Sequence, residues 1–158
     1  MNTPKPATVD LFLPLLRAAQ GLDLSQPRKA AQELESRFPA DSAEADALRD
    51  ALKAHLAAGT ICDRGEAPMK FGRVSKATPE SLNFSIDIVD MDGPGPKHKH
   101  PQGEVNFCVA LEGEPKFDGN GPGWVVFPPE SVHIPTVSGG RMLIVYLLPA
   151  GAMEFMGA

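Results

Sequence analysis

Half of the chain's four histidines stand one residue apart in "GPKHKHPQGEVNF", with a glutamate four positions beyond the second. Alternation along a strand sends residues i and i+2 to one face, so an extended His98-Lys99-His100 presents both imidazoles together. Continued extension brings Glu104 to the same face, although Pro101 and Gly103 predict a bend before it. Imidazoles with a carboxylate suit Fe, Mn, Ni, Cu or Zn, and ligand chemistry alone does not choose among them. His98, His100 and Glu104 leave one corner of a metal site open. His55, on a predicted helix, and His133, in "PPESVHIPTV", are the histidines left to fill it. The competing reading of "KHKH" is a solvated basic edge strand, because Lys97 and Lys99 alternate with the histidines.

The strand after Glu104 adds a second pattern. In "EVNFCVAL" one parity is Glu104, Asn106, Cys108 and Ala110, and the other is Val105, Phe107, Val109 and Leu111. Polar or small residues on one side and apolar residues on the other fit a strand that lines a cavity and packs on its back. Cysteine is rarely chosen for open solvent, which favours the cavity over an exposed face. Cys108 itself is expected to be a small buried hydrophobe, and Cys62, beside Asp63 and Arg64, a loop thiol without a role. "DGNGPG" at 118–123 is expected to be a tight turn rather than a phosphate cradle, since no helix follows it. Trp124, the single tryptophan, is expected to serve packing.

Two composition regimes supply the elements that position these residues. Residues 1–60 read as a helical segment: "TVDLFLPLLRAAQ" with Thr8 as cap and Pro14 kinking or shortening it, "QPRKAAQELESRF" with Ser25 as cap, and "DSAEADALRDALKAHLAAG" ending on Gly59. Residues 61–158 switch to a period of two, with Gly and Pro between short runs: "KFGRVSK", "LNFSIDIVDM", "EVNFCVAL", "GWVVFPP", "VHIPTV" and "RMLIVYLLP". The fold class expected is mainly β, a small antiparallel jelly-roll barrel with an N-terminal helical segment, in one compact unit. At 158 residues, 42% hydrophobic and with a net charge of −5, the chain carries no basic stripe for nucleic acid. Its apolar runs are too short to cross a bilayer, and its first residues lack the pattern of a signal peptide. A reduced, cytoplasmic protein is the expectation.

Taken together, these motifs resemble the cupin superfamily. The first cupin motif matches Gly93, His98, His100, Glu104 and Gly113, and the second matches Gly123, Pro128, Glu130 and His133. The resemblance implies His98, His100, Glu104 and His133 as metal ligands, a divalent metal ion such as Fe, Mn, Ni or Zn, and no organic cofactor. It departs in turn positions: the spacer after Gly93 is one residue short, Gly113 lies late, Glu130 replaces a glycine, and Val137 stands where asparagine is common. Cupin barrels often pair through exposed edges, so a homodimer is expected.

A narrower resemblance, carried by "HPQGEVNF", "FDGNGPGWVVFPPESVHIPTVSGGR" and "YLLPAGAMEF" after a helical start, is to the 4-hydroxylaminobenzoate lyase family of nitroarene breakdown. It implies conversion of 4-hydroxylaminobenzoate to 3,4-dihydroxybenzoate with release of ammonium, the hard step being heterolysis of the N–O bond. An aromatic carboxylate calls for a guanidinium fork, for which Arg64, Arg73 and Arg141 are candidates, with Arg73 and Arg141 favoured beside Asn106. Glu104, His133 and Tyr146 are the expected catalytic groups, Tyr146 as a proton donor. Glu104 acting as acid or base in a metal-free pocket is the alternative route. The same ligand set would also serve a metal-dependent dioxygenase or isomerase, or a ligand-sensing protein without turnover.

Overall fold

The computed structural model describes residues 5–156. Three helices come first: α1 (Val9–Ala19), α2 (Pro27–Arg37) and α3 (Ala43–Ala58). Ser42 caps α3 by accepting from the Ala45 N–H at 3.1 Å, a contact worth about 1 kcal/mol, and Gly59 ends it in the left-handed region at φ 74°. Ser25 does not cap α2, because its hydroxyl is turned back onto Asp23. The cap position falls to Gln26 with Pro27 opening the helix, where the missing N–H costs nothing. Pro14 sits inside α1 without ending it.

Nine strands follow: β1 (Arg64–Glu66), β2 (Met69–Ser75), β3 (Phe84–Met91), β4 (His98–His100), β5 (Glu104–Phe117), β6 (Gly123–Phe127), β7 (Ser131–His133), β8 (Val137–Pro149) and β9 (Glu154–Phe155). They form a six-stranded antiparallel sheet, β1-β2-β3-β8-β5-β6, and a three-stranded sheet, β7-β4-β9. This is the mainly β, jelly-roll arrangement that the alternating runs imply. Short β1 and β9 lie outside the runs legible as strands, while β4 is the extended His98-Lys99-His100 of the histidine motif. "VHIPTV" is split, with β7 stopping at His133 and β8 taking up Val137.

Strand parity divides the large sheet into two faces. Ile86, Ile88, Val105, Phe107, Val109, Leu143, Val145 and Leu147 pack with Phe12, Leu15, Leu16, Leu34 and Leu52 of the helices. The apolar helix faces therefore cover the sheet's back. Trp124 fastens this layer: its Nε1–H donates to the Phe38 carbonyl at the end of α2 at 2.8 Å, and its ring meets Phe38 and Phe107 edge-on. The other face carries Val89, Met91, Cys108, Val125, Met142, Ile144 and Tyr146 and looks towards the three-stranded sheet. No described helix is long and apolar enough to cross a membrane.

Candidate metal centre and cavity

β4 is extended as its alternation requires: His98 and His100 are buried on one side, while Lys99 turns outward to pair with Glu130 at 2.6 Å. β7 lies antiparallel beside it with His133 opposite His98. The chain then turns at 101–103 and enters the other sheet. Gly103 has φ 87°, and a Cβ there would meet Leu24 at 2.9 Å and the Phe127 carbonyl at 3.0 Å, so the turn requires glycine. Glu104 is the first residue of β5, and its side chain reaches the histidines from the facing sheet.

His98, His100, Glu104 and His133 each offer one ligand atom, and these atoms all lie within 4.8 Å of one another. His98 Nε2 is 2.7 Å from His100 Nε2 and 3.1 Å from His133 Nε2. Glu104 Oε2 lies 2.5 Å from His100 Nε2 and 3.5 Å from His98 Nε2. Ligands at about 2.0–2.2 Å from a common metal sit at comparable mutual spacings. His55 stands apart, bonded through Nδ1 to Thr60 at the end of α3.

The outward ring nitrogens fix the tautomers. His98 Nδ1–H donates to the Pro96 carbonyl at 3.0 Å. Ser131 gives its proton to the Pro128 carbonyl at 2.6 Å and so accepts from His100 Nδ1–H at 3.0 Å. His133 Nδ1–H donates to Asp118 Oδ2. With every Nδ1–H committed, each neutral ring aims a bare Nε2 lone pair at the same point.

Glu104 is fully buried, and neither of its oxygens receives a directed hydrogen bond although His100 is in contact. Burial opposes its charge, but the His100 and His98 imidazoles, when protonated on Nε2 and donating to it, outweigh that and hold its carboxyl at about 2. It is thus ionised at neutral pH, which suits a ligand and not a proton donor. Burial alone would lower His98, yet Glu104 raises it; at His133 burial prevails and its pKa falls. Three lone pairs and a buried carboxylate converging on one point require a positive charge between them. A divalent metal fits that donor set.

Asp118 and Ser131 escaped the sequence reading. Asp118 sits in the "DGNG" turn at φ 47°, where its Oδ1 accepts from the Thr136 N–H at 2.9 Å while Oδ2 holds His133. In Asp118→Asn the amide oxygen keeps Thr136 and the amide NH₂ faces His133. His133 then accepts at Nδ1 and carries its proton on Nε2. Metal affinity is expected to fall about 10–100-fold, as read by chelator competition. Unchanged affinity would reduce Asp118 to a turn residue.

A cavity of about 430 Å³ reaches this cluster at His98. Met69, Phe71, Val89, Pro135, Leu148, Met153 and Phe155 give it apolar walls, with Arg64, Arg73, Asp87 and Tyr146 as its polar members. The size and mixed lining are those of a small-molecule site. A cross-strand row, Asn106–Tyr146–Asp87–Arg73, runs over β5, β8, β3 and β2 on this face. Tyr146 is buried and, among the described residues, bonded only to the Met91 sulfur at 3.8 Å; burial, with the charge of Glu104 behind it, pushes its phenol well up. Asn106 donates to the Val125 carbonyl at 3.3 Å, leaving its buried Oδ1 without a partner. Cys108 is a buried core thiol pushed up by desolvation, and Cys62, in the loop before β1, is buried as well and pushed up to about 12.

Arg141 corrects an expectation. It shares a parity with Leu143, Val145 and Leu147, so it emerges on the face opposite the cavity. There its guanidinium grips Asp90 through two bonds of 2.8 and 3.0 Å and also approaches Glu112 at 3.4 Å. Arg141 therefore holds strands together on the sheet's back and meets no ligand in the cavity.

Known proteins bear on this geometry. A curated 4-hydroxylaminobenzoate lyase from Nocardioides sp. (strain LMS-CY) is 38% identical over 96 residues, 54% of this chain and 57% of that protein. One from Pseudomonas putida is 30% identical over 99 residues, 52% of this chain and 56% of that protein. The chain thus spans little more than half the length of the curated relatives it matches. Among solved structures, an acetylacetone dioxygenase from Acinetobacter johnsonii overlaps at a TM-score of 0.44 and 12% identity, covering 58% of this chain and 66% of that one. Neither fold nor function follows from an overlap of that size. The family model described as PnbB, 4-hydroxylaminobenzoate lyase, matches residues 16–155, a span that takes in all three helices in whole or part, both sheets and every residue of the histidine–glutamate cluster. The chain belongs to the PnbB, 4-hydroxylaminobenzoate lyase, family.

Proposed function

We propose that the protein is a lyase that converts 4-hydroxylaminobenzoate and water to 3,4-dihydroxybenzoate and ammonia. The observation that carries this reading is the convergence of three Nε2 lone pairs and a buried carboxylate beside an apolar cavity, in a chain of this family. The conversion is redox-neutral overall. The nitrogen is reduced as the N–O bond breaks and its oxygen leaves as water, and the ring is oxidised as one water adds beside the C–N carbon. A second water hydrolyses the resulting imine to release ammonia, so that one water is consumed net. No organic cofactor is needed for that balance.

His98, His100, Glu104 and His133 would hold a divalent metal, which would supply a Lewis acid for an oxygen that leaves poorly as hydroxide. The chain's own groups do the rest. The apolar walls strip water from the ring and strengthen each polar contact made inside. Tyr146, kept protonated by burial and facing the cavity, donates its proton to the departing oxygen and is reprotonated from solvent. Asn106, fully buried and outside the cavity's lining, stands behind Tyr146 as its cross-strand partner rather than meeting the substrate. Arg73, steadied through Nε by Asp87 at 2.9 Å, is among the residues that line the cavity. Glu104 contributes the buried negative charge and His133 a neutral lone pair to the donor set.

The test is direct. Purified protein given 4-hydroxylaminobenzoate is expected to release ammonium and 3,4-dihydroxybenzoate one to one, and to lose that activity on chelation. Absence of either product overturns the lyase reading. Full turnover in chelated, metal-free protein keeps the lyase and removes the metal from it.

A further inference from the structure

The cavity's two arginines are placed differently. Arg73 spends part of its charge on Asp87. Arg64, on β1, makes no ion pair and no side-chain hydrogen bond among the described residues, although it lines the same cavity. Two guanidiniums against one carboxylate leave a positive charge at the mouth, in a chain whose net charge is −5. Such a cation draws an anion to a site the rest of the molecule would repel.

Register fixes where that charge lies. Arg64 pairs across the hairpin with Phe71, and Arg73 follows Phe71 by two residues on the same face of β2. β1 is the edge of the six-stranded sheet, four strands from the β5 that carries Glu104. The cavity is therefore polarised: imidazole and phenol at one end, apolar walls between, an uncompensated guanidinium at the other. A flat apolar ring with a reactive group on one side and an anion on the opposite side matches it.

We propose that Arg64 recognises the carboxylate of the substrate and sets the site's preference for aromatic carboxylates over uncharged aromatics. This rests on the lyase reading for the identity of the reacting group. Arg64 offers the planar two-pronged donor that a carboxylate accepts best, and lysine replaces it only in part. Because Arg64 is exposed at the mouth, water tempers the contact to about a two- to fivefold effect.

The experiment compares wild type, Arg64→Gln, Arg64→Lys and Arg141→Gln. It measures kcat and KM for 4-hydroxylaminobenzoate and for phenylhydroxylamine, which lacks the carboxylate. It also measures binding of 4-aminobenzoate by calorimetry, a readout that needs no turnover. Arg64→Gln is expected to lower the kcat/KM preference for the carboxylate substrate about two- to fivefold, chiefly through KM, and to weaken 4-aminobenzoate by a similar factor. Arg64→Lys recovers part of both, and Arg141→Gln retains the wild-type preference. Unchanged preference and unchanged 4-aminobenzoate affinity in Arg64→Gln overturn the proposal while leaving the lyase standing. Equal losses on both substrates also overturn it, since a merely structural role would produce them. Binding of 4-aminobenzoate that depends on Arg64, in a protein that turns over neither hydroxylamine, sustains the proposal and sinks the lyase reading. A wild type that binds no 4-aminobenzoate overturns it outright.

Discussion

His100→Ala is expected to weaken divalent-metal binding roughly 10²–10³-fold, and His133→Ala to do the same. A four-ligand site holds its metal with about 10–16 kcal/mol, so each ligand's share is large. The two variants differ in what they leave behind. His133 is half-buried at the rim, and its loss opens the site to water. His100 is fully buried, lies nearest Glu104 and stacks on Phe127 at 5.8 Å. Without it, Glu104 stays in the interior with His98 at 3.5 Å as its nearest neutralising partner, an arrangement that costs about 3–5 kcal/mol. Metal analysis after dialysis should show both proteins depleted. Thermal melts in chelator should show His100→Ala markedly less stable and His133→Ala close to wild type. Stoichiometric metal in either variant would remove that histidine from the ligand set.

Phe107→Ala is expected to cost about 3–5 kcal/mol in urea unfolding. The ring is fully buried where α2 meets the sheet, edge-on to Phe38 at 5.8 Å and to Trp124 at 5.1 Å. Its removal deletes two aromatic contacts and leaves a void between layers that cannot collapse, because Trp124 is tied to the Phe38 carbonyl. Phe107 lies on the opposite parity from Glu104 and Asn106, so the folded fraction should keep its metal. A cost under about 1 kcal/mol would mean that the helices do not depend on this contact.

Local periodicity made much of this legible. The alternation of His98 and His100, the split faces of "EVNFCVAL" and the Gly59 stop of α3 are properties of a few consecutive residues, and the structure shows them as read. The supports of the ligands are not local. Asp118 holds His133 across 15 residues and Ser131 holds His100 across 31, and neither partner marks the other in sequence. Ser25 misled because its hydroxyl found Asp23 closer than any helix N–H. Arg141 was avoidable: it lies five residues from Tyr146 on one strand, and an odd spacing cannot put both on the same face. Arg64 stayed undecided because a three-residue strand is too short to show a period.

The turn at Gly103 divides the ligands between the two sheets, yet His98, His100 and Glu104 remain within one stretch of seven residues. Such a stretch can chelate before anything has folded. The denatured chain therefore competes with the native one for the same ion, and saturating metal raises the folding free energy by less than the native affinity alone would give. What folding adds is the arrival of His133 and of the partners that orient each ring. The metal's contribution to stability is thus set by the difference between a flexible three-point grip and a rigid four-point one.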